Sequence, residues 1–450
     1  MSALKQKLAR LGATVGVLAA TTTAVMAVGG VTASSAFAAE CGPKTTIEGQ
    51  GSTLQNVAQA EWIKGFGAEC PETPTIKYTG TGSGAALTAF GYNGGVINHE
   101  DTWVSTDDAP SAAQITTAQG ATTGAKALII PKIQTAIAII YNPPAECTLT
   151  FEANKGITSA QLNGAFGGEG VKTWNGFTNA SPTGAGCANQ FTRVVREDGS
   201  GTTFQLKNYL AVDGGAAMPC KLTGWEEPAE KEVTETTAWA NMKSTKATKV
   251  GVPNTTWPQE STCPGAPKTL TSVAVAKGGG GLVKYVSEHP GTIGYASLPD
   301  VKSANNIGGA AKIAWIQNNG PKTVTYATPE EATNKESNCG ERQYTVPVGG
   351  REGESGESID WSQVFGAKPT VGSTLYPLCT LTYGLSWTSY EKAGYGASSE
   401  SKANALIAYT KYVLGTGQSV KNWYQPLPHP AAKENNVLAA AKLAMSKIGK

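Results

Sequence analysis

The sequence predicts an α/β protein with largely parallel sheets. Short runs of β-branched residues alternate with segments of helical periodicity, and this order is typical of strands joined by helical crossovers. Residues 135–141 form a nearly continuous apolar run, which favours a parallel strand covered on both faces. With 450 residues, 40% of them hydrophobic, the chain is long enough for two or three domains.

The predicted elements follow one another without an obvious linker. Strand patterns occupy residues 44–48, 75–78, 191–195 and 291–296. Helical patterns occupy residues 57–66, 85–90, 204–210, 282–287, 399–414 and 436–448. Residues 221–262 and 304–357 are polar with little periodicity, and we interpret them as surface insertions.

The N-terminal segment has the pattern of a secretory signal peptide. Basic residues within the first ten precede an apolar stretch, and Ala36-Phe37-Ala38 supplies small residues where signal peptidase cleaves. We therefore expect residues 1–38 to be removed and the mature chain to be secreted, periplasmic or held in the cell envelope. A membrane anchor is the alternative, but threonine and glycine interrupt the stretch. Glu40 before Cys41 argues against a lipoprotein, because a small residue is needed there.

All eight cysteines follow the predicted cleavage site. They are Cys41, Cys70, Cys147, Cys187, Cys220, Cys263, Cys339 and Cys379. An even number in an oxidising compartment predicts up to four disulfides, whose pairing the sequence leaves open beyond neighbouring candidates such as Cys41 with Cys70.

Charge excludes two classes of partner. The chain has 36 basic and 34 acidic residues and no basic run, so it lacks the electrostatic footprint of a protein that binds nucleic acid or anionic lipid. No CxxC pattern occurs. We expect no metal, no cofactor and a monomeric chain.

Three glycine-rich turns link a strand to a helix, at residues 51–54, 82–84 and 199–202. Helix N-termini carry unpaired N–H groups and partial positive charge, so each turn can bind an anion. Ser and Thr are also ordinary helix caps. Residues 80–85 fit a dinucleotide-binding pattern too, but the acidic residue expected at the end of a following strand is missing.

Two charged residues sharpen the anion hypothesis. Arg196 ends a strand four residues before Ser200, where its guanidinium can bind two oxyanion oxygens. A buried Asp108 would accept a hydrogen bond only from a protonated anion, and would therefore select phosphate over sulfate. The alternative is that Asp108 is a solvated turn residue before Ala109-Pro110.

These motifs together resemble the PstS-like phosphate-binding proteins of phosphate ABC transporters. The resemblance covers roughly residues 47–447. It is carried by Gly51-Ser-Thr-Leu54 with Trp62, Tyr78-Thr-Gly-Thr-Gly-Ser83, Asp108-Ala-Pro110, Val194-Val-Arg-Glu-Asp-Gly-Ser-Gly-Thr202, Gly291-Thr-Ile-Gly-Tyr295 and Tyr424-Gln-Pro-Leu-Pro428.

The resemblance implies a two-lobed periplasmic-binding-protein fold of type II, each lobe a mostly parallel sheet flanked by helices, with disulfide-bearing insertions. It implies one lobe from residues 39–134 with 293–450 and another from 135–292, closing on inorganic phosphate by a hinge motion. The phosphate would then be delivered to the permease of an ABC transporter, without catalysis.

The resemblance also implies the ligand contacts. They are Thr53, Leu54, Ser83, Asp108, Arg196, Ser200, Gly201 and Thr202, with Asp198 holding Arg196 in place. Asp107 stands where the family usually has Ser, and we expect its side chain to point away from the site if strand alternation holds.

Two other functions remain open from the residues. A secreted phosphatase or other hydrolase is one, although the chain has only three histidines and no HExxH, GxSxG or GK[ST] motif. A phosphate-scavenging, sensing or adhesive protein of the same fold is the other.

Overall fold

The computed structural model describes residues 41–71, 74–167, 171–213, 222–223, 260–261, 273–303, 310–318, 325–331, 334–340, 344–362, 364 and 375–449. The predicted signal peptide, most of insertion 221–262, parts of insertion 304–357, Cys220 and Cys263 lie outside these residues.

Sixteen strands are present in the described residues. They are β1 Thr46–Gly51, β2 Thr75–Thr79, β3 Asp101–Thr106, β4 Ala127–Asn142, β5 Thr192–Arg196, β6 Leu222–Thr223, β7 Glu260–Ser261, β8 Val273–Ala276, β9 Thr292–Ser297, β10 Lys312–Ile313, β11 Ile316–Asn318, β12 Thr325–Ala327, β13 Glu330–Glu331, β14 Glu336–Ser337, β15 Cys379–Trp387 and β16 Tyr424–Gln425. The helices are α1 Asn56–Glu69, α2 Ser83–Ala89, α3 Ala112–Gly120, α4 Ser159–Gly167, α5 Gly201–Asp213, α6 Gly278–Glu288, α7 Leu298–Lys302, α8 Ser399–Val413 and α9 Val437–Met445.

One mixed sheet of ten strands runs through the molecule, in the order β2-β1-β3-β15-β4-β9-β5-β8, with β10 and β16 paired to β4. Its outer strands are parallel, β1 with β2 and β3, and β5 with β8 and β9. Its central strands β15 and β9 run antiparallel to β4. The α/β class is therefore confirmed, but residues 135–141 are antiparallel to both neighbours, because burial on both faces does not fix strand direction.

Two separate hydrophobic cores define the two lobes. β4 is buried throughout and passes from the first core to the second between Ile133 and Ala136. The chain returns to the first core between Leu378 and Leu381, at the start of β15. Ile293 packs in the second core, since β9 pairs with β5 and with the second half of β4. The packing therefore differs from the predicted return to the first lobe at residue 293.

The crossing strand β4 carries a bulge. Tyr383 of β15 faces Pro131 while Thr382 faces Ile133, which leaves Lys132 as the extra residue. The Lys132 side chain is buried, and its Nζ donates to Oγ1 of Thr410 at 3.2 Å. Burial lowers the pKa of Lys132 to about 7.

Sequence patterns predicted six of these helices, which are α1, α2, α5, α6, α8 and α9, and did not predict α3, α4 or α7. Helix α1 buries Ala58, Trp62 and Phe66 along one face. Helix α3 begins with a capping box in which Ser111 and Gln114 exchange hydrogen bonds. In the part of the chain that the structure describes, no helix has the length and apolar character needed to cross a bilayer.

Three disulfides link cysteines in the described residues. They are Cys41–Cys70, Cys147–Cys187 and Cys339–Cys379. The first confirms the neighbouring pair considered from the sequence. The third joins the segment before residue 340 to the first residue of β15, close to the point where the chain returns to the first lobe.

Candidate functional site

Four glycine-rich turns meet between the two lobes. Gly84 N donates to Gly199 O at 3.0 Å, which joins the second and third turns predicted from the sequence. Gly279 N donates to Oγ1 of Thr53 at 3.3 Å, which joins the first predicted turn to the start of α6. This fourth turn follows β8 and was not predicted as an anion site, although the run of glycines at residues 278–281 was a signal for it.

Arg196 ends β5 at the meeting point of these four turns, which we call the cleft, and has 3% of its surface exposed. Its Nε donates to Oδ1 of Asp198 at 2.8 Å, and Nη2 pairs with Oδ2. Gly278 N also donates to Oδ1 of Asp198, at 2.8 Å. Burial alone would raise the pKa of Asp198, but the hydrogen bonds and charge of Arg196 outweigh it and lower that pKa. Asp198 therefore holds the guanidinium of Arg196 through an ion pair.

The turn after Arg196 is packed tightly against the first lobe. Ser200 Oγ accepts from Thr203 N at 3.2 Å, so Ser200 caps α5. A Cβ on Gly201 would lie 2.6 Å from Ser83 Oγ and 2.9 Å from Asp107 N. Only glycine allows the two lobes to approach this closely.

The first lobe contributes buried polar groups to the same place. Ser83 Oγ accepts a hydrogen bond from Asp107 N at 3.1 Å. Thr53 and Leu54 are buried, and Leu54 O accepts from the hydroxyl of Tyr424. All eight predicted contact residues are buried, and the hydrogen bonds above bring Thr53, Ser83 and the 199–202 turn to one cleft.

Asp107 lies at the centre of this network. Its Oδ1 accepts from Ser52 Oγ at 2.5 Å and from Thr382 Oγ1 at 2.7 Å. The hydroxyl of Thr202, from the second lobe, also hydrogen-bonds to this carboxylate. Gln205, likewise from the second lobe, donates to the Asp107 carbonyl at 2.6 Å. Burial raises the pKa of Asp107, while these hydroxyls and Arg196 lower it in part.

The expectation that Asp107 points away from the site is therefore wrong. β3 ends at Thr106, so the alternation of side chains that applies within the strand does not extend to residue 107. The sequence patterns did not indicate Ser52 and Thr382 either. Ser52 lies within a predicted turn, but Thr382 comes from a strand far along the chain and carried no local signal.

Asp108 is buried beside Asp107 with 7% of its surface exposed. Its N–H donates to Oγ1 of Thr106 at 2.9 Å, and Thr106 Oγ1 donates to the Asp108 carbonyl at 2.7 Å. Burial raises the pKa of Tyr383, and the charge of Asp108 adds to that shift. The role of Asp108 as the acceptor for a protonated ligand stays a prediction.

Asp300 is a further buried acid that the sequence did not indicate. Its Oδ2 accepts from Ser297 Oγ at 2.7 Å, and a Cβ on Gly279 would collide with the same oxygen. Burial raises the pKa of Asp300 to about 6, although Ser297 and the charge of Arg196 lower it in part. In the sequence, Asp300 has the pattern of an ordinary first-turn residue of α7.

Comparisons with known proteins identify relatives of the chain. A curated phosphate-binding protein, PstS3 of Mycobacterium bovis, is 32% identical over 227 residues, which are 47% of this chain and 56% of that protein. Phosphate-binding protein PstS2 of the same species is 31% identical over 217 residues, or 45% and 54% of the two chains. The chain thus spans about half the length of the curated relatives it matches.

A solved structure shares the fold. It is a high-affinity periplasmic phosphate-binding protein, PfluDING, bound with phosphate, with a TM-score of 0.53 and 18% identity over 90% of this chain and 99% of that one. A sequence model of the PBP superfamily domain matches residues 36–345. The match covers more than half of the sequence and agrees with the two-lobed architecture, and so the chain belongs to the PBP superfamily.

Proposed function

We propose that this chain is an extracytoplasmic solute-binding protein that captures inorganic phosphate between its lobes and delivers it to the permease of an ABC transporter. The proposed ligand contacts are Thr53, Leu54, Ser83, Asp108, Arg196, Ser200, Gly201 and Thr202, with Asp107 added from its geometry. The relatives named as phosphate-binding proteins support this substrate, and a secreted or envelope location follows from the same proposal.

One observation carries the proposal. A buried guanidinium, Arg196, is fixed by Asp198 at the point where turns from both lobes meet. A buried arginine with helix N-termini around it favours an oxyanion. Asp107, a carboxylate in the same cleft, favours an oxyanion that carries a proton. Phosphate meets both conditions at neutral pH, whereas sulfate meets only the first.

The packing supports a revised division into lobes as part of this proposal. The first lobe comprises the described residues of 41–134, 344–364 and 381–449, and the second contains the described residues of 135–340 and 375–378. β4 and β15 form the hinge because both cross between the two cores. Gly201 lies against Ser83 in this structure, so opening about these strands would separate the two residues and closure would bring them back together.

The contacts of the histidines favour binding over hydrolysis. His99 lies against the carbonyl of Ala393, His289 against that of Tyr285 and His429 against that of Leu427. Ser200 caps a helix. A phosphatase assay on the purified chain tests the hydrolase alternative directly, and turnover of a phosphomonoester would contradict the proposal.

Calorimetric titration of the mature protein with phosphate, sulfate and arsenate tests the proposal. We expect one phosphate per chain, and Arg196→Lys should weaken binding at least about tenfold, because lysine cannot form the bidentate contact. The matched control is Arg193→Lys, in the same strand and equally buried at 3% exposure, where the guanidinium bonds to the Ala165 carbonyl. Absence of phosphate binding, or equal losses in both variants, would contradict the proposed site.

A further inference from the structure

Several carboxylates share one guanidinium in the cleft. Asp198 binds Arg196 directly, and the charge of Arg196 also acts on Asp107 and Asp300. Asp107 has 1% of its surface exposed and Asp300 has 6%. A bound phosphate would bring one or two further negative charges into this desolvated cluster. Repulsion between like charges at such short range favours protonation of a carboxylate.

Asp300 is placed to respond to the ligand through its neighbours. It lies against Gly279 at the first turn of α6. Gly278 in that turn donates to Asp198, which holds Arg196, and Gly279 donates to Thr53 of the first lobe. The turn at residues 278–279 therefore connects the Asp300 carboxylate to Asp198, which holds Arg196, and to Thr53, a proposed phosphate contact.

We propose that Asp300 is a positioning residue that takes up a proton from solvent when phosphate binds, so that capture of the anion is coupled to protonation of this buried carboxyl group. The inference rests on the phosphate-binding function proposed above. An ionised Asp300 attracts Arg196 and repels the anionic ligand. A protonated Asp300 does neither, so the attraction between Arg196 and phosphate is not weakened by this carboxylate.

The groups that face Asp300 set the pH range. Arg196 of β5 lowers the pKa of Asp300, while Asp107 of the first lobe and Asp198 raise it. The hydroxyl of Tyr424 on β16 also lies within electrostatic range, and Lys302 on α7 is paired with Glu330. Because burial already raises the pKa of Asp300 to about 6, the added charge of phosphate shifts protonation into the neutral range.

The test is calorimetric titration of the full chain with inorganic phosphate from pH 5 to pH 8.5, for wild type and Asp300→Asn. Asparagine mimics the neutral acid, and the protonation of phosphate itself cancels in the ratio of the two dissociation constants. We expect nearly equal affinities at pH 5, and by pH 8 an affinity of Asp300→Asn at least about tenfold above wild type. Parallel pH profiles would overturn the inference.

Three further variants keep the result interpretable. Asp101→Asn removes another buried acid with a raised pKa, one that bonds to Gln50 and Asn98, and should retain the wild-type profile. Ser297→Ala removes the hydroxyl that lowers the pKa of Asp300 and should move the transition to higher pH. If Asp107→Asn alone abolished the pH dependence, the assignment to Asp300 would be wrong. Absence of phosphate binding by wild type at every pH would contradict the proposed function instead.

Discussion

The hydroxyl of Thr382 donates to Oδ1 of Asp107 at 2.7 Å. Thr382 lies in β15, beside the bulge of β4 where the two strands cross between the lobes. Asp107 follows β3 and is also bonded by Ser52 and by Thr202 of the second lobe. Asp107 is thus hydrogen-bonded to the proposed hinge. A change in the charge of Asp107 therefore alters a hydrogen bond of β15, the strand about which the lobes would move.

Replacing Thr382 by Val is expected to destabilise the protein and to weaken phosphate binding. The substitution keeps the shape but removes a hydrogen bond to a buried carboxylate, which costs about 1.5–3 kcal/mol. It also removes the oxygen that accepts from Gln55 Nε2 at 2.6 Å. Urea denaturation at pH 8 and phosphate titration measure the two effects. Thr380→Val is the matched control, because its buried hydroxyl donates to the neutral carbonyl of Leu381 at 2.7 Å. Equal loss of phosphate affinity in both variants would show that the contact with Asp107 has no special role.

The sequence predicted the parts of the site that are local. A strand, a glycine-rich turn and a helix follow one another within about a dozen residues, so the turns at Ser83 and Ser200 can be recognised from short stretches of sequence. Arg196 and Asp198 are separated by one residue, and their pairing followed from the resemblance. These features depend on backbone geometry that neighbouring residues specify.

The residues that the sequence did not predict depend on distant contacts. Thr382 reaches Asp107 only because β15 is inserted between β3 and β4 in the sheet. Asp300 is buried only because α7 packs against the start of α6. The return to the first lobe was placed at residue 293 because residues 291–295 resemble a family motif, but the motif does not specify which strands β9 pairs with. The pairing partners of β9 depend on how the whole sheet assembles, and the sequence of a single strand does not specify them.

Lys132→Met is expected to stabilise the protein at neutral pH. Burial lowers the pKa of Lys132 to about 7 from 10.5, so the unfolded chain binds a proton more strongly than the folded one between these values. Stability attributable to this group is therefore present above pH 10.5 and is lost as the pH falls toward 7. At pH 7 the Met variant should gain at least about 1 kcal/mol over wild type.

Urea denaturation at pH 7 and pH 10.5 measures the effect of Lys132→Met, and the gain should shrink at the higher pH. Lys284→Met is the control. Lys284 is exposed on α6 and forms only a long ion pair with Glu288, at 3.9 Å, so its loss should change stability by no more than about 0.5 kcal/mol. A gain in Lys132→Met that did not depend on pH would come from packing rather than from the buried amine.

The stability gained by Asp300→Asn should increase as the pH rises, whereas the gain from Lys132→Met should decrease. Burial raises the pKa of Asp300 from 3.8 to about 6, so its contribution is fully present below pH 3.8 and is lost as the pH rises through 6. The shift of about two units corresponds to about 3 kcal/mol. We expect wild type and variant to be similarly stable at pH 4 and the variant to be more stable at pH 8, as measured by urea denaturation. Curves that stay parallel would show that Asp300 is not the titrating group.

Thiol titration of the denatured, unreduced chain is expected to find no reactive cysteine. Six cysteines form three disulfides in the described residues, and the sequence predicts that Cys220 and Cys263 are also oxidised. Two reactive thiols would indicate that this last pair is reduced, and four or more would contradict the described disulfides. Replacing both Cys339 and Cys379 by Ser should cost about 2–4 kcal/mol of stability.

Selectivity for phosphate over sulfate is expected to depend on Asp107 more than on Asp108. The Asp107 carboxylate faces hydroxyls of both lobes and lies within range of Arg196. Sulfate would place an oxygen against this carboxylate with no proton between them, whereas phosphate at neutral pH always carries one. An unpaired contact between like charges in a desolvated site costs several kcal/mol, so an ionised Asp107 excludes sulfate.

Asp107→Asn keeps the shape and supplies an N–H donor, so it should narrow the phosphate-over-sulfate preference at least about tenfold, or roughly 1.4 kcal/mol. Asp108→Asn is the matched comparison, because the two acids are adjacent and both are buried. Competition of sulfate against bound phosphate, followed by calorimetry at pH 7.5, gives the preference of each variant. A larger effect in Asp108→Asn would restore the acceptor implied by the family pattern and would show that Asp107 serves only to hold the hinge strand. No effect in either variant would mean that selectivity does not arise from a carboxylate at this position, since each substitution removes a buried negative charge while leaving the volume intact.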